Sequence, residues 1–263
     1  MTAGAPAAVS GPGLPRHFPI AGARVNSYKV FLCVGLCSGI LLSAGVAVRS
    51  GLSPLRVGAA GLACAVLGLA GARAYHLAVN AGGRRRPGSR ASVRNPRGGG
   101  ASVLGGLVVV PAVLLGDSLF GVPAPALGDH LALGVALGGA WIRLGCVFNG
   151  CCVGRESRSR LAVLQHDVRG VRRRRLPAQW VEIAWWALAG LGLALVWSWP
   201  RTPGACALGV LAWYGLGRAW MEALREPGDL LLGRIPMNQV VGAALAAAAG
   251  SALVLTTIGP HVR

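Results

Sequence analysis

The stretch Trp141-Ile-Arg-Leu-Gly-Cys-Val-Phe-Asn-Gly-Cys-Cys-Val-Gly154 closes an apolar segment that begins near His130. It places Arg143 within, or at the rim of, a run long enough to cross a membrane. A cation there is costly unless it is paired or hydrated, which makes this arginine a candidate functional residue. Asn149, Gly150 and Gly154 then break the helix with residues that allow tight turns and close backbone approach. A cation delivered to a glycine-rich turn at the membrane edge forms an anion site, and lipid phosphate is the natural anion to meet there.

The rest of the composition agrees with a membrane setting. Of 263 residues, 54% are hydrophobic and only 13% charged, and the mean hydropathy is +0.57. With apolar runs near membrane length, this predicts an all-α polytopic membrane protein of about seven transmembrane helices joined by polar loops. The net charge of +18 arises from 26 Lys and Arg against 8 Asp and Glu. These cations sit almost wholly in loops and line no soluble domain, so anionic lipid head groups are the expected partner and nucleic acid is not. Seven cysteines, an odd number spread mostly through apolar segments, exclude a disulfide framework.

Residues 1–27, rich in Pro, Gly and Ala, have no apolar core of a cleaved signal and read as a loosely ordered lead-in. A single transmembrane domain is expected over 28–258, with a short tail at 259–263. Its spans are expected near Tyr28–Val48, Leu55–Ala72, Ala101–Leu115, His130–Phe148, Trp180–Trp199, Ala205–Met221 and Gln239–Ile258. Two arginine-rich loops, Gly82–Gly100 and Arg155–Arg175, follow the second and fourth spans. The positive-inside rule therefore puts the N-terminus in the cytoplasm. Trp185, Trp186, Trp197 and Trp199 suit interfacial belts.

In the sixth span Tyr214, Arg218 and Glu222 are spaced i, i+4, i+8 and share one helix face. Taken alone, Arg218 and Glu222 are as well explained as a self-neutralising pair; the tyrosine on the same face and Arg143 elsewhere favour a polar pocket. Two arginines can grip a phosphate through forked hydrogen bonds. Simpler roles compete elsewhere: Tyr28 as an interfacial anchor, Glu182 as a charge on a helix N-terminus, and Gln239 as part of a helix start. Cys146, Cys151 and Cys152 can be read as small-residue packing, as disulfide partners, as metal ligands or as a thiol nucleophile. Packing is favoured, and neither a metal nor a cofactor is expected, because no His or further Cys stands at finger-like spacing.

With these motifs in view, the chain resembles the prolipoprotein diacylglyceryl transferase family. The family's signature looks like Ile142–Gly154, retaining Arg143, Gly145, Asn149, Gly150 and Gly154. A second family segment is similar to Tyr214–Asp229, with Tyr214, Gly215, Arg218, Glu222, Arg225 and Pro227. Pro177, Gln179 and Glu182 resemble a third motif, Asn238-Gln239 a fourth, and Tyr28 the tyrosine of the first span. The family's His-Gly-Gly-Leu looks like Leu104-Gly105-Gly106-Leu107, so its histidine is replaced by Leu104. A second family histidine is replaced by Leu176, and an asparagine and a glutamate of the signature are replaced by Cys146 and Cys151.

The resemblance implies transfer of a diacylglyceryl group from phosphatidylglycerol to the lipobox cysteine of a prolipoprotein signal peptide, in the bacterial cytoplasmic membrane. It implies Arg143, Arg218 and Glu222 as the catalytic set. Tyr28, Gly105, Gly106, Asn149, Gly150, Gly154, Gln179, Tyr214 and Gln239 are implied as substrate-binding residues. In the absence of the histidine, Glu222 is the remaining base. The resemblance also reverses the topology, placing the N-terminus and the motif-bearing loops outside. Two other classes stay open: a relative that binds anionic lipid or lipobox peptide without transfer, and a redox-active thiol protein.

Overall fold

A computed structural model describes residues 14–81, 113, 115–199, 201–225, 230–231 and 235–258. Six helices of 17 residues or more occur among them: α1 (Ser27–Arg49), α2 (Pro54–Ala81), α4 (Ala124–Asn149), α5 (Ala178–Val196), α6 (Ala205–Met221) and α7 (Met237–Ile258). A short α3 covers Gly116–Phe120. Five helices are long and apolar enough to cross a membrane. They correspond to the expected first, second, fourth, fifth and seventh spans. The sixth, α6, has 17 residues and runs on into a 3-10 turn, Glu222–Leu224. The expected third span lies almost wholly outside the described residues, as does the basic segment 82–100.

Contacts divide the chain into two compact units, Ser43–Leu131 and the remainder, Met1–Leu42 with Ala132–Arg263. The first is built on an apolar core of Ala47, Val57, Ala60, Val122 and Leu127. There Ser43 Oγ donates to the His130 carbonyl at 2.8 Å, and the His130 ring meets Ser50 Oγ at 3.0 Å. Such bonds satisfy polar groups that lipid could not.

The second unit carries the sequence motifs. Residues 14–26, expected as a loose lead-in, instead contain a hairpin of β1 (His17–Ile20) and β2 (Ala23–Asn26). Its two-residue turn, Ala21-Gly22, has positive φ at both positions, the backbone twist that matches paired strands. Asn26 then caps α1, its side-chain oxygen accepting from Tyr28 N at 2.9 Å. Helices α1 and α4 touch along a glycine seam: a Cβ on Gly39 would stand 2.6 Å from the Gly134 carbonyl oxygen. Small residues let membrane helices approach this closely. Of the spans, α4 is the most enclosed, with 44% of its window buried against 11% for α7. The motif helix is therefore the most buried of these five spans and α7 the least.

Two segments carry more structure than the sequence showed. Trp185 packs α5 on α6: its ring stacks on Trp213 at 4.0 Å. Each indole N–H donates to the other's carbonyl, at 3.1 and 3.0 Å. A buried indole must find such a partner. The second arginine-rich loop contains an antiparallel hairpin, β3 (Val163–His166) with β4 (Arg172–Arg175). Arg173 and Arg175 both reach Glu156, at 2.7 and 3.2 Å, so part of the loop's charge is neutralised locally. The remaining pair of described strands, β5 (Leu230–Leu231) and β6 (Ile235–Pro236), leads into α7.

Candidate functional site

A narrow strap of chain assembles the site. Residues 154–156 run between the end of α6 and the approach to α5, with Arg155 N donating to Leu224 O at 2.9 Å and Leu176 N to Arg155 O at 3.0 Å. Bridges pair Gly154 with Arg225 and Glu156 with Arg175. A Cβ on Gly154 would collide with the Leu176 carbonyl, so only glycine lets the two backbones meet there. The strap joins three distant segments and brings their charged side chains together.

At the junction stands Glu182, on the first turns of α5 and 3% exposed. Arg143 Nε lies 2.6 Å from one of its oxygens. Arg225 lies 2.6 Å from the other, and Arg218 stands 3.8 Å from that same oxygen. Arg218 also reaches Glu222 at 3.3 Å, and Asn238 donates to the second Glu222 oxygen at 3.3 Å. Three arginines and two carboxylates thus form one buried network with a formal charge of +1. Neutral counter-groups would not hold three guanidinium ions at this depth, and a Glu shared among them does.

Around this network, Tyr214 stacks on Trp186 at 5.9 Å and interacts electrostatically with Arg218, Arg143, Glu182 and Arg225. Tyr28 likewise interacts with Arg143 and with the thiols of Cys146, Cys151 and Cys152. Asn149 accepts a hydrogen bond from Asn26 at 3.0 Å. Gly150, at φ +72, turns the chain at the end of α4. Gln179 is 2% exposed and donates to two carbonyls of the motif, Cys146 O at 2.9 Å and Cys151 O at 2.6 Å. Gln239 stands at the start of α7, but it is its neighbour Asn238 that touches the network. Gly105 and Gly106, with Leu104, lie outside the described residues.

Two members of the network stand outside the expected site set, although both lie in motifs that carry the family resemblance. Glu182 looked like an ordinary helix-start charge, and Arg225 falls just beyond the helix that carries Arg218. The motifs were one available signal and arithmetic another: Arg143 and Arg218 in apolar helices need more negative charge than Glu222 alone provides.

The cysteines also converge. The Sγ atoms of Cys146, Cys151 and Cys152 lie within 4.8 Å of one another. Cys146 is buried, Cys151 half-buried and Cys152 exposed. Thiol hydrogen bonds from Cys146 and Cys151, and then the charges of Arg143 and Arg225, hold the Cys152 thiol well below its usual range. Cys152 adopts φ +58, one of two non-glycine residues with positive φ among those described.

The match with known proteins decides the family. The family model described as prolipoprotein diacylglyceryl transferase matches residues 15–255. The chain belongs to that family. No curated protein matches it closely enough to add a nearer relative. Prolipoprotein diacylglyceryl transferases are membrane transferases of lipoprotein biosynthesis, and the apolar helices described above fit that setting. Within the family frame, Leu176 stands where the resemblance expects a histidine. Here it is a buried apolar residue, 9% exposed, whose backbone serves the strap.

Proposed function

We propose that this protein transfers a diacylglyceryl group from phosphatidylglycerol to the lipobox cysteine of a prolipoprotein signal peptide, as a multi-pass enzyme of the bacterial cytoplasmic membrane. The observation that carries the reading is the convergence of Arg143, Arg218 and Arg225 on Glu182, which with Glu222 on Arg218 leaves one positive charge in excess. Such a site attracts a phosphodiester. As the glycerol C–O bond breaks, negative charge grows on the departing phosphate oxygen, and prearranged guanidinium donors stabilise it. Arg143 and Arg218 are assigned to that role. Both oxygens of Glu222 are engaged, by Arg218 and Asn238, so it orients Arg218 and is poorly placed to accept a proton. Asn149 and the Gly150 backbone position the head group, with Tyr28 and Tyr214 bonding it or its glycerol. Gln179 and Gly154 keep the motif turn in shape, while Gly105, Gly106 and Gln239 complete the binding set.

The test uses oriented membrane vesicles containing the full chain, phosphatidylglycerol and a membrane-impermeant lipobox peptide, read by mass spectrometry of the peptide. Peptide gaining one diacylglyceryl group with right-side-out vesicles is the expected result, with the motif loops facing outward. Modification by inverted vesicles alone would reverse the orientation and keep the chemistry. Arg143→Lys should lower the rate on the order of a hundredfold, because lysine keeps the charge and loses the fork. No modified peptide from either vesicle type would replace the enzyme by a lipid- or peptide-binding relative.

A further inference from the structure

Transfer to a thiol requires that the thiol lose its proton, and the charged network offers no free base. Glu182 is shared by arginines, and Glu222 is held by Arg218 and Asn238. The described residues place a different group beside that network, the three thiols of Cys146, Cys151 and Cys152.

We propose that Cys146, Cys151 and Cys152 form a three-thiolate zinc site whose fourth position takes the acceptor cysteine thiol. This rests on the transfer reading for its second half only; the metal site stands on its own geometry. Zinc–sulfur bonds of about 2.3 Å in a tetrahedral site set sulfurs roughly 3.8 Å apart. The observed separations, all within 4.8 Å, need only a small closure. The backbone is built to hold them. Gln179 clamps the carbonyls of Cys146 and Cys151, and Cys152 is kept in a left-handed conformation that a non-glycine residue adopts only when its surroundings impose it. Three protein ligands with a vacant fourth position are the pattern of reactive zinc sites, whereas structural sites are closed by four. Cys152 is exposed, so a peptide thiol has access. Zinc suits the site better than a redox metal, because it accepts thiolates without a preferred geometry and cannot oxidise them.

The step balances. On coordination the acceptor S–H releases its proton to water, since a metal-bound thiol is deprotonated. The bound thiolate attacks the glycerol carbon of the lipid, a C–S bond forms and the C–O bond breaks. The electron pair leaves on the phosphate oxygen, where the arginines hold it, and the neutral thioether, a weaker ligand, departs. Two of the three thiols, Cys146 and Cys151, stand where the resemblance has an asparagine and a glutamate, and the site would then do the work of the histidine replaced by Leu104.

The experiment uses the detergent-purified full chain, kept reduced with a phosphine. Loading with zinc should give one ion per chain, and cobalt(II) should show thiolate charge-transfer and tetrahedral d–d bands. Cys146→Ser, Cys151→Ser and Cys152→Ser should each weaken binding at least tenfold. Cys152→Ser, at an exposed position, keeps the test valid if the buried variants fail to fold. Adding lipobox peptide should change the cobalt spectrum, and the same peptide with serine for cysteine should not. Zinc that remains in the triple serine variant, or no metal at all, would overturn the site. An unchanged spectrum with peptide would overturn the open position. Transfer that proceeds in metal-free protein would refute the acceptor role of the site and leave the transfer reading intact. Metal and peptide binding without transfer would do the reverse.

Discussion

Two arginine–glutamate groups among the described residues of the motif-bearing unit have opposite consequences. In the hairpin, Arg173 and Arg175 share Glu156, and the Arg173 and Glu156 side chains are 35% and 25% exposed. In the helical network, Arg143, Arg218 and Arg225 share Glu182, whose side chain is 4% exposed. Residue types and distances are nearly the same. Water reaches Arg173 and Glu156 and screens them, although Arg175 is only 7% exposed, so little is lost when the Arg173 pair breaks. It scarcely reaches the second group, where each charge depends on its partners. Pairing therefore tidies a surface in one place and makes a buried anion site possible in the other.

The comparison breaks most visibly at Glu182. Glu182→Gln keeps the shape and removes the charge, leaving Arg143 and Arg225 buried without a counter-ion. The expected cost is about 3–5 kcal/mol of stability, together with loss of any transfer activity. Unfolding of the variant in mixed micelles, followed by tryptophan fluorescence, measures the first. An unchanged midpoint would mean that water or lipid phosphate already balances these arginines, and the contrast with the hairpin would collapse.

A neutral buried residue provides the intermediate case. Gln179 is as deeply buried as Glu182 but supports the motif turn through two hydrogen bonds to carbonyls. Gln179→Leu should cost about 1–3 kcal/mol, the penalty for leaving buried acceptors unpaired. It should also loosen the cysteine turn, so that Cys151 reacts faster with a small alkylating reagent. A loss as large as that of Glu182→Gln would show that burial, and not charge, sets the scale.

The same contrast explains what could be read from the sequence. Arg143 and Arg218 were legible because a cation in an apolar run is anomalous whatever surrounds it. Tyr214 and Glu222 were legible from helical spacing. Most span positions followed from apolar length alone. Glu182 and Arg225 were visible as motif residues but their meeting was not, since it depends on the strap, whose hydrogen bonds join residues 155, 176 and 224. No local pattern encodes that meeting. The convergence of the cysteines was hidden for a related reason: it requires the positive φ at Cys152 and the Gln179 clamp, both set by the tertiary structure. The Arg155–Arg175 hairpin escaped because four consecutive arginines carry no alternation, and its register depends on pairing with Val163–His166.

The smallest effect is expected at Glu156, and it is the most discriminating control. Glu156→Gln removes the counter-charge of Arg173 and Arg175, keeps an amide oxygen that can still accept, and adds no cavity. Arg173 can then turn into solvent, while Arg175, 6% exposed, keeps its hydrogen bond to the Gly154 carbonyl at 3.1 Å. The expected loss is below about 1 kcal/mol and should shrink as salt is raised, since exposed pairs are screened. Parallel unfolding of Glu156→Gln and Glu182→Gln at low and high salt measures the difference. Glu182→Gln should stay costly at both concentrations, because a carboxylate only 4% exposed is little screened by salt. If Glu156→Gln proved as damaging and as insensitive to salt, Arg175 would be transmitting the loss through Gly154 to the strap. The hairpin would then belong to the structural support of the buried site, and its charge could not be treated as surface.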